Sequence, residues 1–138
     1  MGAHGWWYEV DELDPEKALK RAQLSAFYGR KYGKPYAKGE PRARSITELR
    51  KLCAEEGTCS VIDVTALGAR RGPGIAAALT EPQLRALVGE ARPTRAELLD
   101  ARGDIQASLD RGEAVWTHLW DLEREDRIAI AFVGLSYD

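Results

Sequence analysis

Sulfur and imidazole are scarce in this chain, which holds two cysteines, one methionine and two histidines among 138 residues. Two cysteines cannot build the multi-bridge framework of a small secreted domain, and the spacing of Cys53 and Cys59 fits neither a C-x-x-C redox pair nor a zinc knuckle. A four-ligand zinc site would have to recruit both of them together with His4 and His118, from opposite ends of the chain, so no metal is expected. Long apolar runs are missing too. None approaches the ~20 residues that cross a bilayer, and residues 1 to 20 lack the basic-then-apolar layout of a signal peptide. A cytoplasmic protein without membrane contact is the expectation. No phosphate-loop or dinucleotide fingerprint is matched, and nothing points to a cofactor.

What is present suits an ordinary folded chain: 44% hydrophobic and 30% charged residues, mixed in sign. A chain of this length buries enough surface to hold a core unaided, so one domain over residues 1–138 is expected. The net charge of −2 conceals a partition. Residues 1 to 15 carry Glu9, Asp11, Glu12 and Asp14 and no lysine or arginine. Residues 16 to 51 hold eleven basic residues against three acids, a net of +8, and residues 52 to 138 are acidic again, at −6. Segregated charge of this kind steers association with an oppositely charged macromolecule.

Helix starts are signposted by short polar side chains able to accept the orphan N–H groups of a first turn. Asp14-Pro15-Glu16 sets a cap, a proline at the first helical position and an acid favoured by the helix dipole. Ser45 to Glu48, Thr80 to Gln83 and Thr94 to Glu97 match the capping box. Helices are predicted at 15–29, 46–56, 81–89 and 94–102, with a short one at 104–111. Strands are predicted at Trp6–Val10, Cys59–Thr65, Val115–Leu122 and Ile128–Val133, the last two joined by the polar reversal at 123–127. The fold class expected is α+β: a mixed sheet of about four strands, helices packed on one face, and a C-terminal antiparallel hairpin.

Three places could carry chemistry. Gly68, Arg70, Arg71, Gly72 and Gly74 form a glycine-rich loop ahead of Ile75–Leu79, a stretch able to make a helical turn, and this combination suits an anion. Pro73 removes one donor from that cradle. The segment from Tyr28 to Arg44 interleaves Arg30, Lys31, Lys34 and Lys38 with Tyr28, Tyr32 and Tyr36, so it could meet an acidic protein or stack on single-stranded nucleic acid. Cys59, His118 and either Asp63 or Asp121 supply the residue types of a thiol nucleophile, its base and an orienting acid, if they meet. Trp6 and Trp7 cannot both face the core of one regular strand, which makes one indole a candidate interface anchor.

The reading that follows is a small domain that binds another protein, in its sharpest form an inhibitor or immunity-type protein covering a partner's active site. The partner surface is assigned to Trp6, Tyr28, Arg30, Lys31, Tyr32, Lys34, Tyr36 and Lys38. A nucleic-acid-binding accessory protein using Tyr28 to Arg44, or a small enzyme using the anion loop, are the alternatives.

Overall fold

A computed structural model describes residues 4–29, 43–53 and 57–137. The chain runs through β1 (Gly5–Val10), α1 (Pro15–Tyr28), α2 (Ile46–Leu52), a 3-10 turn (Val61–Asp63), β2 (Ala66–Gly68), β3 (Ile75–Ala78), α3 (Glu81–Leu87), α4 (Arg95–Asp100), α5 (Arg102–Ala107), β4 (Ala114–Trp120) and β5 (Arg127–Leu135). The strands form one mixed sheet in the order β1-β5-β4-β3-β2. β2, β3 and β4 are parallel to one another, and β5 runs antiparallel to both β4 and β1. The α+β class and the C-terminal hairpin are therefore present as expected.

Each predicted cap works. The side chains of Asp14, Ser45, Thr80 and Thr94 accept the N–H groups of Lys17, Glu48, Gln83 and Glu97. These bonds are local, so the residues that make them are already neighbours in sequence.

Two local readings are overturned. Cys59–Thr65 is not a strand, because side chains in and around it satisfy its backbone in another way. Ser60 Oγ accepts from the Ile62 N–H at 3.2 Å, Asp63 Oδ1 accepts from the Thr58 N–H at 2.6 Å, and Cys59 sits at a left-handed φ of 54° that no strand admits. The free carbonyls are claimed from outside: Gln23 donates to Val61 and Val64, and Arg50 to Ile62 and Val64. Ile75–Ala78 is a strand rather than a helical turn, since it lies between β2 and β4 and pairs with both. A four-residue apolar run fits either element, and only the flanking strands decide. The sheet consequently has five strands, not about four.

Helices cover both faces, not one. Ala18, Ala22 and Ala26 of α1, with Leu49 of α2 and Val61, Ile62 and Val64, pack on Ile130, Phe132 and Ala114. The four-residue alanine spacing makes one smooth stripe, which lets α1 approach the sheet closely. On the opposite face Leu84, Leu98 and Ile105 of α3, α4 and α5 pack on Val115, Leu119, Ala131 and Val133. β4 and β5 are apolar on alternate residues of both faces, as strands clad on two sides require.

A bidentate ion pair fastens the hairpin to α4. Arg124 Nη1 and Nη2 meet Glu97 Oε1 and Oε2 at 2.5 and 2.8 Å, and Arg124 holds a left-handed φ of 60° in the turn. The Arg124 hydrogen bonds and the Thr94 N–H hold the Glu97 carboxyl down to about 2. A depressed native value contributes stability above the unfolded value of 4.5, and that contribution is lost as pH falls towards 2. Glu97→Gln is therefore expected to lower the melting temperature at pH 6 and to flatten its dependence on pH between 5 and 2. A variant whose melting temperature tracks the parent protein at every pH would refute this.

Candidate functional site

The residues named from sequence do not converge. Arg30, Lys31, Tyr32, Lys34, Tyr36 and Lys38 lie outside the described residues; Tyr28 is described, 77% exposed, with its ring edge-on to Phe27 at 5.4 Å. Trp6 is corrected from interface anchor to core: it is 7% exposed and its indole lies over Gly134 of β5, where the missing side chain leaves room. Trp7 is the half-buried member of the pair, with the Arg102 guanidinium 6.0 Å from its ring centroid on the other face.

The anion loop loses its premises. No helix follows it, so no helix dipole acts there. The Gly74 N–H is spent on the Gly112 carbonyl at 2.9 Å and the Ile75 N–H on Gly72 at 3.0 Å, while Arg71 donates to the carbonyl and hydroxyl of Ser108. Gly68, Arg70, Arg71, Gly72 and Gly74 instead form a short crossover between two parallel strands.

The catalytic group is likewise not assembled. Asp63 lies beside Tyr137, which packs on Gly112 just ahead of β4. His118 lies six residues further on, roughly 20 Å away at about 3.3 Å per residue. There its Nε2 meets the Leu13 carbonyl at 2.9 Å. Asp121 is a turn residue whose Oδ1 accepts the N–H groups of Glu125 and Asp126. Among the described residues no cluster of three His, Cys, Asp or Glu side chains could hold a metal ion, and no helix is long and apolar enough to cross a membrane.

A different surface emerges at the C-terminal end of β4. Val10, Ile130 and His118 lie in one row across β1, β5 and β4, so the segment after β1 and the hairpin turn leave the sheet side by side. The His118 bond to Leu13 ties them. Trp116, His118 and Trp120 alternate onto one face and are each half-buried, with Trp116 and His118 edge-to-face at 5.5 Å and the Arg92 guanidinium 4.7 Å from the Trp120 ring. Among the described residues six large apolar side chains are exposed, and three of them, Leu13, Leu122 and Ile128, are at this end. The first segment brings Asp11, Glu12, Asp14 and Glu16 with no base between them in sequence, although the Arg21 guanidinium lies 3.6 Å from Glu12 and Asp14 caps α1. The turn brings Asp121, Glu123, Glu125 and Asp126, and its Arg124 is already paired with Glu97. Apolar and aromatic groups inside an anionic rim make a surface complementary to a basic protein face.

Sequence reasoning listed Asp11, Glu12 and Asp14, together with Glu9, as an acidic run but did not join them to Glu16 or to the four acids of the turn. No local signal could: more than a hundred residues separate the two segments, and only the pairing of β1 with β5 juxtaposes them. Comparison with protein families, with curated proteins and with solved structures finds no match to this chain.

Proposed function

We propose that the protein is a protein-binding domain that recognises a partner of basic surface through the acid-rimmed end of β4 and β5. Its sharpest form is an inhibitor or immunity-type protein that lays this surface over a partner's active site. The observation that carries the reading is the concentration of three exposed apolar side chains and two acidic segments in one place. Aromatic and aliphatic anchors supply the affinity of such an interface, and the anionic rim supplies the rate of encounter.

The test is affinity capture from the native host, on columns carrying the parent protein and the triple variant Glu16→Lys, Glu123→Lys, Glu125→Lys. The side chains of these acids are exposed and make no cap or turn bond, and the Glu125 N–H that bonds Asp121 is backbone, so the fold should survive. The expected partner is basic, is retained by the parent column, and associates at least about tenfold more slowly with the variant at low salt, the gap narrowing as salt is raised. An association rate indifferent to the three reversals would remove the reading. One observation favours single-stranded nucleic acid instead: Tyr28, at the head of the basic segment, is 77% exposed, and an exposed tyrosine ring suits stacking on a base. Binding of an oligothymidylate that weakens steeply with salt and is lost in Tyr28→Ala would support that alternative, and no binding at low salt would end it.

A further inference from the structure

The sheet ends on one side in β1 and on the other in β2, and the two edges differ. β2 is three residues long, whereas β1 runs for six, Gly5–Val10, in unbroken register with β5. Only half of the β1 backbone is used. The Ser136 N–H donates to the His4 carbonyl at 2.8 Å, which sets the alternation: the peptide groups of His4, Trp6, Tyr8 and Val10 face β5, and those of Gly5, Trp7 and Glu9 face away. Among the described residues none bonds these outward N–H and C=O groups. Gly5 and Glu9 are exposed and Trp7 is half-buried.

Natural proteins blunt such an edge with lysine, proline, a bulge or a covering segment. β1 has no lysine, no proline and no register shift, and its one charge, Glu9, is drawn towards α4 by Arg95 Nε at 2.8 Å. An open edge of this kind accepts a further strand, whose main chain supplies the missing partners.

The side chains then narrow the occupant. Laid antiparallel against itself about Trp7, the stretch from His4 to Val10 matches residue for residue: Gly5 meets Glu9, Trp6 meets Tyr8, and Trp7 meets Trp7. This is the one register that pairs every residue of the stretch. It also brings the outward peptide groups together, each pair exchanging two hydrogen bonds. Aromatic side chains stand opposite one another on both faces, which favours a cross-strand pairing. Glu9 falls opposite Gly5 of the other copy, over which the polar Gln106 side chain lies. Its diagonal neighbour is the other copy's Trp7, whose ring centroid has the Arg102 guanidinium 6.0 Å away, so an acid of each copy approaches a base of the other. An axis at Glu9 instead would set like charges face to face. We propose that β1 pairs antiparallel with β1 of a second copy about a twofold axis at Trp7, joining two five-stranded sheets into one. The second indole of the Trp6-Trp7 pair is thereby the anchor of an interface between copies, on a different edge from the acid-rimmed surface.

The experiment is sedimentation equilibrium of the full chain between ~5 µM and ~1 mM, with amide exchange measured by NMR at both concentrations. A monomer–dimer equilibrium is expected with a Kd between ~1 and ~100 µM, the weak end for a small interface. At the higher concentration the Trp7 and Glu9 amides should exchange at least about threefold more slowly, while those of Trp6 and Tyr8, already bonded to β5, stay as they are. Glu9→Pro removes an outward donor and leaves every bond to β5 in place, since an edge strand tolerates proline where the N–H faces solvent. Dimerisation should weaken at least about tenfold in that variant. Should the variant not fold, the exchange pattern of the parent protein still decides. A monomer throughout the range overturns the proposal. So does a dimer whose Trp7 and Glu9 amides gain no protection, or one equally tight in Glu9→Pro, because the copies would then meet through another face.

Discussion

Replacement of Phe132 by alanine is expected to lower the unfolding free energy by about 3–5 kcal/mol, the range for deleting a large aromatic from a core. Phe132 is fully buried on β5, a strand with a neighbour on each side, opposite Tyr8 of β1 and Trp116 of β4. Its ring fills the space between the sheet and the alanine stripe of α1. Alanines at 18, 22 and 26 have nothing to extend into the hole, and α1 is tethered by Gln23 to the 61–64 segment, so the cavity cannot collapse. The check is urea denaturation against Leu52→Ala, an exposed helical position expected to change stability by less than ~1 kcal/mol. Equal losses at the two positions would mean that α1 does not lean on β5.

The second large effect concerns a residue without a side chain. Gly134→Ala is expected to cost about 1–3 kcal/mol or more, because a methyl group there falls 2.0 Å from Trp6 Cζ2 and 2.2 Å from Cε2. Trp6 stands directly opposite Gly134 in the β1–β5 ladder, and its indole cannot swing outward without exposing a large apolar ring. Trp6→Leu, itself destabilising, should relieve the clash, so the double variant ought to be more stable than the sum of the two single losses predicts. Strict additivity would place the indole elsewhere. This experiment also tests the correction that moves Trp6 from the partner surface into the core.

Much of the architecture was legible because the signals were local. Asp14, Ser45, Thr80 and Thr94 sit within four residues of the amides they cap, and the Glu123–Arg127 run reads as a reversal once Val115–Leu122, whose spacing also suits a helix, is taken as a strand. The charge partition was legible for the same reason: it needs only counting. The errors share a cause as well. Cys59–Thr65 has the β-branched composition of a strand, yet Gln23 and Arg50 reach in from α1 and α2 to claim its carbonyls. Ile75–Ala78 has the composition of a helical turn, yet two distant strands claim its backbone.

What the amino-acid order determined by itself, then, is where helices begin, where the hairpin turns, and that acidic and basic stretches are segregated. Tertiary structure alone decided which indole faces inward, that β3 joins the sheet, that two acidic segments share one rim, and that Tyr137 meets Asp63. The physical reason is range. A cap or a turn is settled by hydrogen bonds within a few residues, whereas the face a strand presents, and the company a carboxylate keeps, depend on partners that only folding brings into reach.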